Sequence, residues 1–236
     1  MRNFVFTTIS AFVFLIIHTG TSAQKSDKNR IKGSGNLITK EIPVKSFDQL
    51  SSSGVYSLLL SQGNTEQVKI EADDNLLDLV IVENEGSKLT IRMKKDANYS
   101  SKNKMKVYVT FKKLKSMDLS MVGETSSEES LTFDKLSLNN ASVGSVNLDM
   151  AVHDFHMENS SVGTVKLSGN AQNAVIKTNS VGSFKAGDFV VQVMEIENNG
   201  IGSAEVNAEK ELNVTDSFMG KVKNRGNAAP KRKIVI

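Results

Sequence analysis

The chain has 236 residues, with 29 Lys and Arg against 26 Asp and Glu for a net charge of +3, and it contains no cysteine, no tryptophan, three histidines and two prolines. The missing cysteines exclude a disulfide framework, a thiol nucleophile and a lipid-attachment cysteine. A charge this small, spread along a chain with only 14 Phe and Tyr, excludes the basic, aromatic-laced face of a nucleic-acid binder.

Residues 1–23 read as an export signal. A basic start, an apolar run over residues 4–17 and the small residues Thr21-Ser-Ala23 precede a cleavage point before Gln24. The apolar run is too short to span a bilayer stably, and no second one follows, so the mature product is expected to have no transmembrane segment. Residues 24–32 read as a flexible linker and 33–236 as a single domain.

Short alternating runs then predict strands, among them Val55–Leu60, Gln67–Ile70, Lys88–Ile91 and Lys106–Phe111. The best helical stretch, Asp73–Leu79, is long enough for one or two turns.

From about residue 115 to 224 one phrase recurs, as Ala141-Ser-Val-Gly-Ser-Val-Asn-Leu148, Ser160-Ser-Val-Gly-Thr-Val-Lys-Leu167 and Asn179-Ser-Val-Gly-Ser-Phe-Lys-Ala186. It is anchored on Gly123, Gly144, Gly163, Gly182, Gly202 and Gly220, and a period near 20 is the signature of stacked coils. With each glycine as position zero, positions −8, −6, −1, +2 and +4 are apolar in 26 of 30 slots, where the composition of 39% gives about 12. Positions −8 and −6 fall on one face of a strand, as do +2 and +4. Position −1, filled by Val122, Val143, Val162, Val181, Ile201 and Met219, breaks the alternation, so a bend is expected to bring it into the core. Asn140, Asn159, Asn198 and Asp216 at −4, and Asn179 at −3, are expected to make that corner with the glycines by tolerating positive φ. A polar second corner of variable length, such as Asp149–Asp154 or Ser168–Asn173, closes each coil. The fold expected is all-β, a parallel solenoid of about 20-residue coils. Residues 33–112 are expected to open and cap it, and Ala228–Ile236 to close it.

The strings Gly33-Ser-Gly-Asn36, Phe47-Asp, Val55-Tyr-Ser-Leu-Leu-Leu-Ser-Gln-Gly63 and Ile70-Glu-Ala-Asp-Asp-Asn-Leu-Leu77, followed by the glycine repeats, resemble the auto-transporter adhesin head GIN domain family of exported bacterial proteins. The resemblance covers about 33–224. It implies a right-handed, single-stranded parallel β-helix with a surface or envelope role, and it brings no catalytic residues. The corner here is Ser-Val-Gly or Asn-Gly-Ile-Gly, a mild departure from the family's glycine-rich corner.

Candidate chemistry is sparse. His153 and His156 are three apart, which on a strand sends them to opposite faces and gives no shared metal ion. The outward −5 column holds Glu158, Lys177 and Glu197, alternating in sign one coil apart. These three and His156 are the weak catalytic candidates, and Glu158 and Glu197, roughly 10 Å apart, would bracket a sugar in a hydrolase. Asp73 and Asp74 are weak metal candidates, because hard oxygen ligands cluster there. A candidate binding face consists of Ser145, Thr164, Ser183 and Ser203 at +1, beside Lys166 and Lys185 at +3. No cofactor is expected. The function expected is an exported, non-catalytic, adhesin-like protein of the periplasm, cell surface or medium. It would present flat β-faces to carbohydrate or an envelope protein, and its open strand edges make homo-oligomers a further expectation. The alternative is a polysaccharide hydrolase or lyase on the same scaffold.

Overall fold

Side chains alternate across a strand with a period of two. In this chain that rule holds through the glycine corner and settles which columns are inside. The computed structural model describes residues 30–217 and 219–234; residues 1–23, read from sequence as an export signal, and residues 24–29 of the expected linker lie outside the described residues. The protein is 71% strand and 3% helix, a parallel β-solenoid of about six turns with coils about 19 residues apart.

The strands in order are β1 (Ile31–Lys32), β2 (Leu37–Pro43), β3 (Gln49–Val55), β4 (Ser57–Gln62), β5 (Gln67–Asp73), β6 (Val80–Glu85), β7 (Lys88–Met93), β8 (Tyr99–Ser100) and β9 (Lys106–Phe111). The solenoid proper continues with β10 (Ser116–Ser127), β11 (Leu131–Asn140), β12 (Val143–Asn159), β13 (Val162–Thr178), β14 (Val181–Asn198), β15 (Ala204–Asp216), β16 (Val222–Asn224) and β17 (Pro230–Ile234). Each coil pairs in parallel with the next. Val143, Gly144, Ser145 and Val146 stand opposite Val162, Gly163, Thr164 and Val165, and these in turn oppose Val181, Gly182, Ser183 and Phe184.

The −8, −6, +2 and +4 files form the core. Phe155, Met157, Leu148, Ile176, Leu167, Met194 and Ile196 are all buried. The −1 file does not join them, contrary to the expectation from sequence. Val55, Val122, Val143, Val162, Val181 and Ile201 are 49–53% exposed and Met219 is 62% exposed. Even-numbered positions point in and odd ones out across the corner, so position −1 stands outside. The inward positions −4 and −2 carry small polar residues instead, such as Asn140 and Ser142 or Asn159 and Ser161, all buried.

Glycine is required at zero by close approach. From Gly123 to Gly202 the anchors hold φ between 134° and 148°, and a Cβ on Gly163 would lie 1.9 Å from the carbonyl oxygen of Gly144. Gly220, the last anchor, does not share this conformation. The corner asparagines work differently from the expectation: none has positive φ. They form an inward ladder in which Asn140 Nδ2 donates to Asn159 Oδ1 (2.9 Å) and Asn159 Nδ2 donates to Thr178 Oγ1 (3.1 Å). Thr178 occupies this file in its coil, and its neighbour Asn179 is exposed. Asn140 and Asn198 also accept the backbone N–H two residues on, from Ser142 and Gly200.

The second corner is not a polar loop. β12, β13 and β14 run straight through it, and Met150, Val152, Ala171, Phe189 and Val191 are buried there. Met150, Gly169 and Phe189 share one file, and Phe189 meets Phe155 edge-on at 5.8 Å. The differences in coil length are absorbed here as register shifts, between Lys166 and Ser168 and again beyond Lys185.

The N-terminal segment opens the solenoid with one coil and caps it with mixed parallel and antiparallel pairing. β3 and β4 make one coil beneath β10, and β7 and β9 add a parallel strand to each. β2, β5 and β6 pair antiparallel, and Asp74–Leu79 forms a 3₁₀ helix. Ile31–Lys32, read as linker from sequence, pairs as β1 with Tyr99–Ser100 of β8. At the far end β17 stacks in parallel on β15.

Candidate functional site

The outward files are the surfaces on which function has to be sought. At −5 the register places Asn139, Glu158, Lys177, Glu197 and Thr215 one above another. Asn139 Nδ2 donates to Asp118 Oδ1 at 2.8 Å, and Glu197 Oε1 accepts from Asn199 Nδ2 at 2.6 Å. Among the described residues no ion pair closes within 4.0 Å between Lys177 and either glutamate. Glu158 and Glu197 are two coils apart, roughly 10 Å, with Lys177 between them.

His156 points outward on β12, with Nε2 at 3.8 Å from Glu158 Oε1. His153, expected in a loop, also lies on β12 and is exposed, with Nδ1 at 3.1 Å from Asp154 Oδ1. It lines a shallow groove of about 570 Å³ with Asn170, Gln172 and Gln192. Donation from Asn173 and the nearby Lys135 hold the Asp154 carboxyl below its ordinary range.

Asp73 and Asp74 are occupied as structural acceptors. Asp73 takes hydrogen bonds from Ser101 Oγ and Asn103 Nδ2, both at 2.6 Å, and Asp74 takes them from Ser34 Oγ (2.5 Å) and Asn36 Nδ2 (3.0 Å). These donors hold both carboxyls below the ordinary value of 3.8. The pair clasps residues 34–36 and 101–103 to the 3₁₀ helix. Among the described residues no group of three or more His, Cys, Asp or Glu is gathered that could hold a metal ion.

The +1 and +3 files lie on the outward side of the strand that starts at the corner. Ser145, Thr164 and Ser183 are in register and partly exposed, and Ser203 is exposed at the next rung. At +3, Asn147, Lys166 and Lys185 are stacked directly, with Lys185 opposite Glu205. Glu205 is engaged elsewhere, at 2.7 Å from Arg225 Nε and 3.7 Å from Lys223. Among the described residues neither Lys166 nor Lys185 has a carboxylate within 4.0 Å.

Sequence reading missed the outward −1 file, which runs along this face beside the +1 hydroxyls, because apolar type was taken as burial; counting parity through the glycine would have found it. It also missed a groove of about 470 Å³ where this face meets the N-terminal cap, lined in part by Tyr99, Asn103, Lys104, Val122 and Glu124.

A parallel solenoid with in-register outward files and a mixed N-terminal cap defines a β-solenoid repeat domain. The chain matches the family described as "Putative auto-transporter adhesin, head GIN domain" over residues 46–228, and it belongs to that family. A crystal structure of a "putative adhesin" from Bacteroides fragilis is similar at TM-score 0.79 and 25% identity, over 86% of this chain and 94% of that one. A "putative adhesin" from Parabacteroides merdae gives 0.58 and 22%, over 87% and 95%. A "Putative lipid binding protein" from Parabacteroides distasonis gives 0.62 and 18%, over 87% and 96%. No curated protein matches this chain. Among the described residues no helix is long and apolar enough to cross a membrane.

Proposed function

We propose that this protein is an exported, non-catalytic, adhesin-like module of the cell envelope or surface that holds an acidic carbohydrate polymer against its +1 and +3 files. The observation that carries this reading is the direct stacking of Lys166 on Lys185 with, among the described residues, no carboxylate within 4.0 Å of either, the neighbouring Glu205 being paired with Arg225 and Lys223. Like charges directly opposite on a sheet are destabilising, and an anionic ligand would offset that cost. The hydroxyls of Ser145, Thr164 and Ser183 beside them repeat at about 4.8 Å and both donate and accept hydrogen bonds. Family membership and the export signal read from the sequence support the surface role.

The test is affinity electrophoresis through gels containing an acidic or a neutral polysaccharide, with product analysis alongside. The wild-type protein is expected to be retarded by the acidic polymer without shortening it. Retardation should weaken with salt and be lost in Lys166→Glu/Lys185→Glu. Glu158→Gln and Glu197→Gln should leave it unchanged. Chain shortening abolished by either glutamine variant would overturn the reading in favour of a hydrolase or lyase. Equal retardation of the lysine double variant would overturn the assigned face.

A further inference from the structure

The structure contains one apolar surface that the proposed carbohydrate face does not use. The −1 file runs from Val55 through Val122, Val143, Val162 and Val181 to Ile201 without a break in register. Six side chains, each about half-exposed, stand in line over roughly 24 Å, five steps of about 4.8 Å. Contiguous exposed apolar surface of this extent marks an interaction site.

From this stripe we infer that the occupant is a second copy of this chain, docked face to face with the stripes antiparallel about a two-fold axis at Val162. Three observations select it. First, the stripe is nearly palindromic in shape: about Val162, Val143 meets Val181 and Val122 meets Ile201, so one row fits its own reverse as an isologous contact requires. Second, its flanks are small and neutral. Ala141, Ser160 and Asn179 lie on one side and Ser145, Thr164 and Ser183 on the other, while Lys166 and Lys185 stand further out on the rim. An uncharged centre inside a charged rim is the anatomy of a protein interface. Third, the flanking +1 file carries Glu124 towards one end and Lys221 at the other. The antiparallel arrangement brings Glu124 of one copy within a rung of Lys221 of the other, twice.

The area fits a weak dimer. A footprint from −3 to +3 is about 20 Å wide, or roughly 480 Å² per copy and 960 Å² in total, below about 1,200 Å² and in the range of weak, transient contacts. Micromolar affinity is the scale expected of such a contact.

The absence of native cysteine makes the test direct. Sedimentation of the mature chain should show concentration-dependent doubling of mass, abolished in Val162→Lys with the far-ultraviolet spectrum unchanged. Under mild oxidation Val162→Cys should link to itself and Val122→Cys should not, whereas mixed Val122→Cys and Ile201→Cys chains should link to each other. A chain monomeric through the micromolar range, or self-linking of Val122→Cys as fast as that of Val162→Cys, would overturn the inference. The dimer covers the +1 and +3 files, so the glycan assay above is also run on the uncharged Val162→Ser, expected to be monomeric with that face open. Its retardation reads the carbohydrate face and the sedimentation of the wild-type chain reads the dimer, so the two failures are distinguishable.

Discussion

At the residue scale the corner depends on positions where only one side chain fits. Gly163 has φ of 137° and a missing Cβ that would sit 1.9 Å from a neighbouring carbonyl oxygen, whereas Gly86 has φ of 56° and open space around it. Gly163→Ala is therefore expected to cost at least about 3 kcal/mol, strain plus backbone displacement, against about 1–2 kcal/mol for Gly86→Ala, where only the left-handed conformation is penalised. Denaturant titration of the two variants checks the difference. The buried amide file behaves similarly: Asn159→Ala removes the acceptor of Asn140 and is expected to cost about 1–3 kcal/mol. Asp73 and Asp74 contribute to the acid response, alongside other depressed carboxyls such as Asp48, Asp149 and Asp154. Their carboxyls are depressed in the folded chain, so the stability they contribute is complete above the ordinary value of 3.8 and is lost as pH falls through the lower folded values. Melting temperature should hold from neutral pH to about pH 4 and fall below it, and Asp73→Asn should lower it at neutral pH while flattening the acid limb.

At the element scale, each coil shows which signals a sequence carries and which it does not. The −8, −6, +2 and +4 files were legible because apolar type and strand parity agree there. Val162 and its equivalents were misread because type and parity disagree, and parity wins: a strand cannot turn one side chain inward without turning its neighbours out. Val162→Thr should thus change stability by about 0.5 kcal/mol or less, whereas Val165→Thr, three residues away and buried, should cost about 1–3 kcal/mol by placing a hydroxyl in the core. Thermal unfolding of the two variants decides it. The third stretch of each coil was read as loop because it is polar and of variable length, and Met150-Ala-Val152 and Gly169-Asn-Ala171 match at no position. Their likeness is one of volume, with Gly169 leaving room in the file that Phe189 fills. Complementary packing of that kind appears only once neighbours are known.

At the scale of the whole molecule, the sequence period near 20 was enough to specify parallel stacking, because side chains that must share a file repeat at the coil length. It did not specify the N-terminal cap, where β2, β5 and β6 pair antiparallel and no repeat exists to read. Of the candidate faces, the −5 and +1 files were legible as columns. The absence of an ion pair at Lys166 and Lys185 and the outward apolar stripe were not, since both depend on the neighbours that the register and the side chains select. The stacking itself is tested most directly by a distance between spin labels at Asn139 and Thr215, outward positions in one file and four coils apart. Diluted with unlabelled chain, the pair should give a single narrow distribution centred near 19 Å plus the length of the label arms, four rungs of about 4.8 Å. A centre beyond 35 Å, or a broad distribution without a maximum, would show that these segments do not lie one upon another.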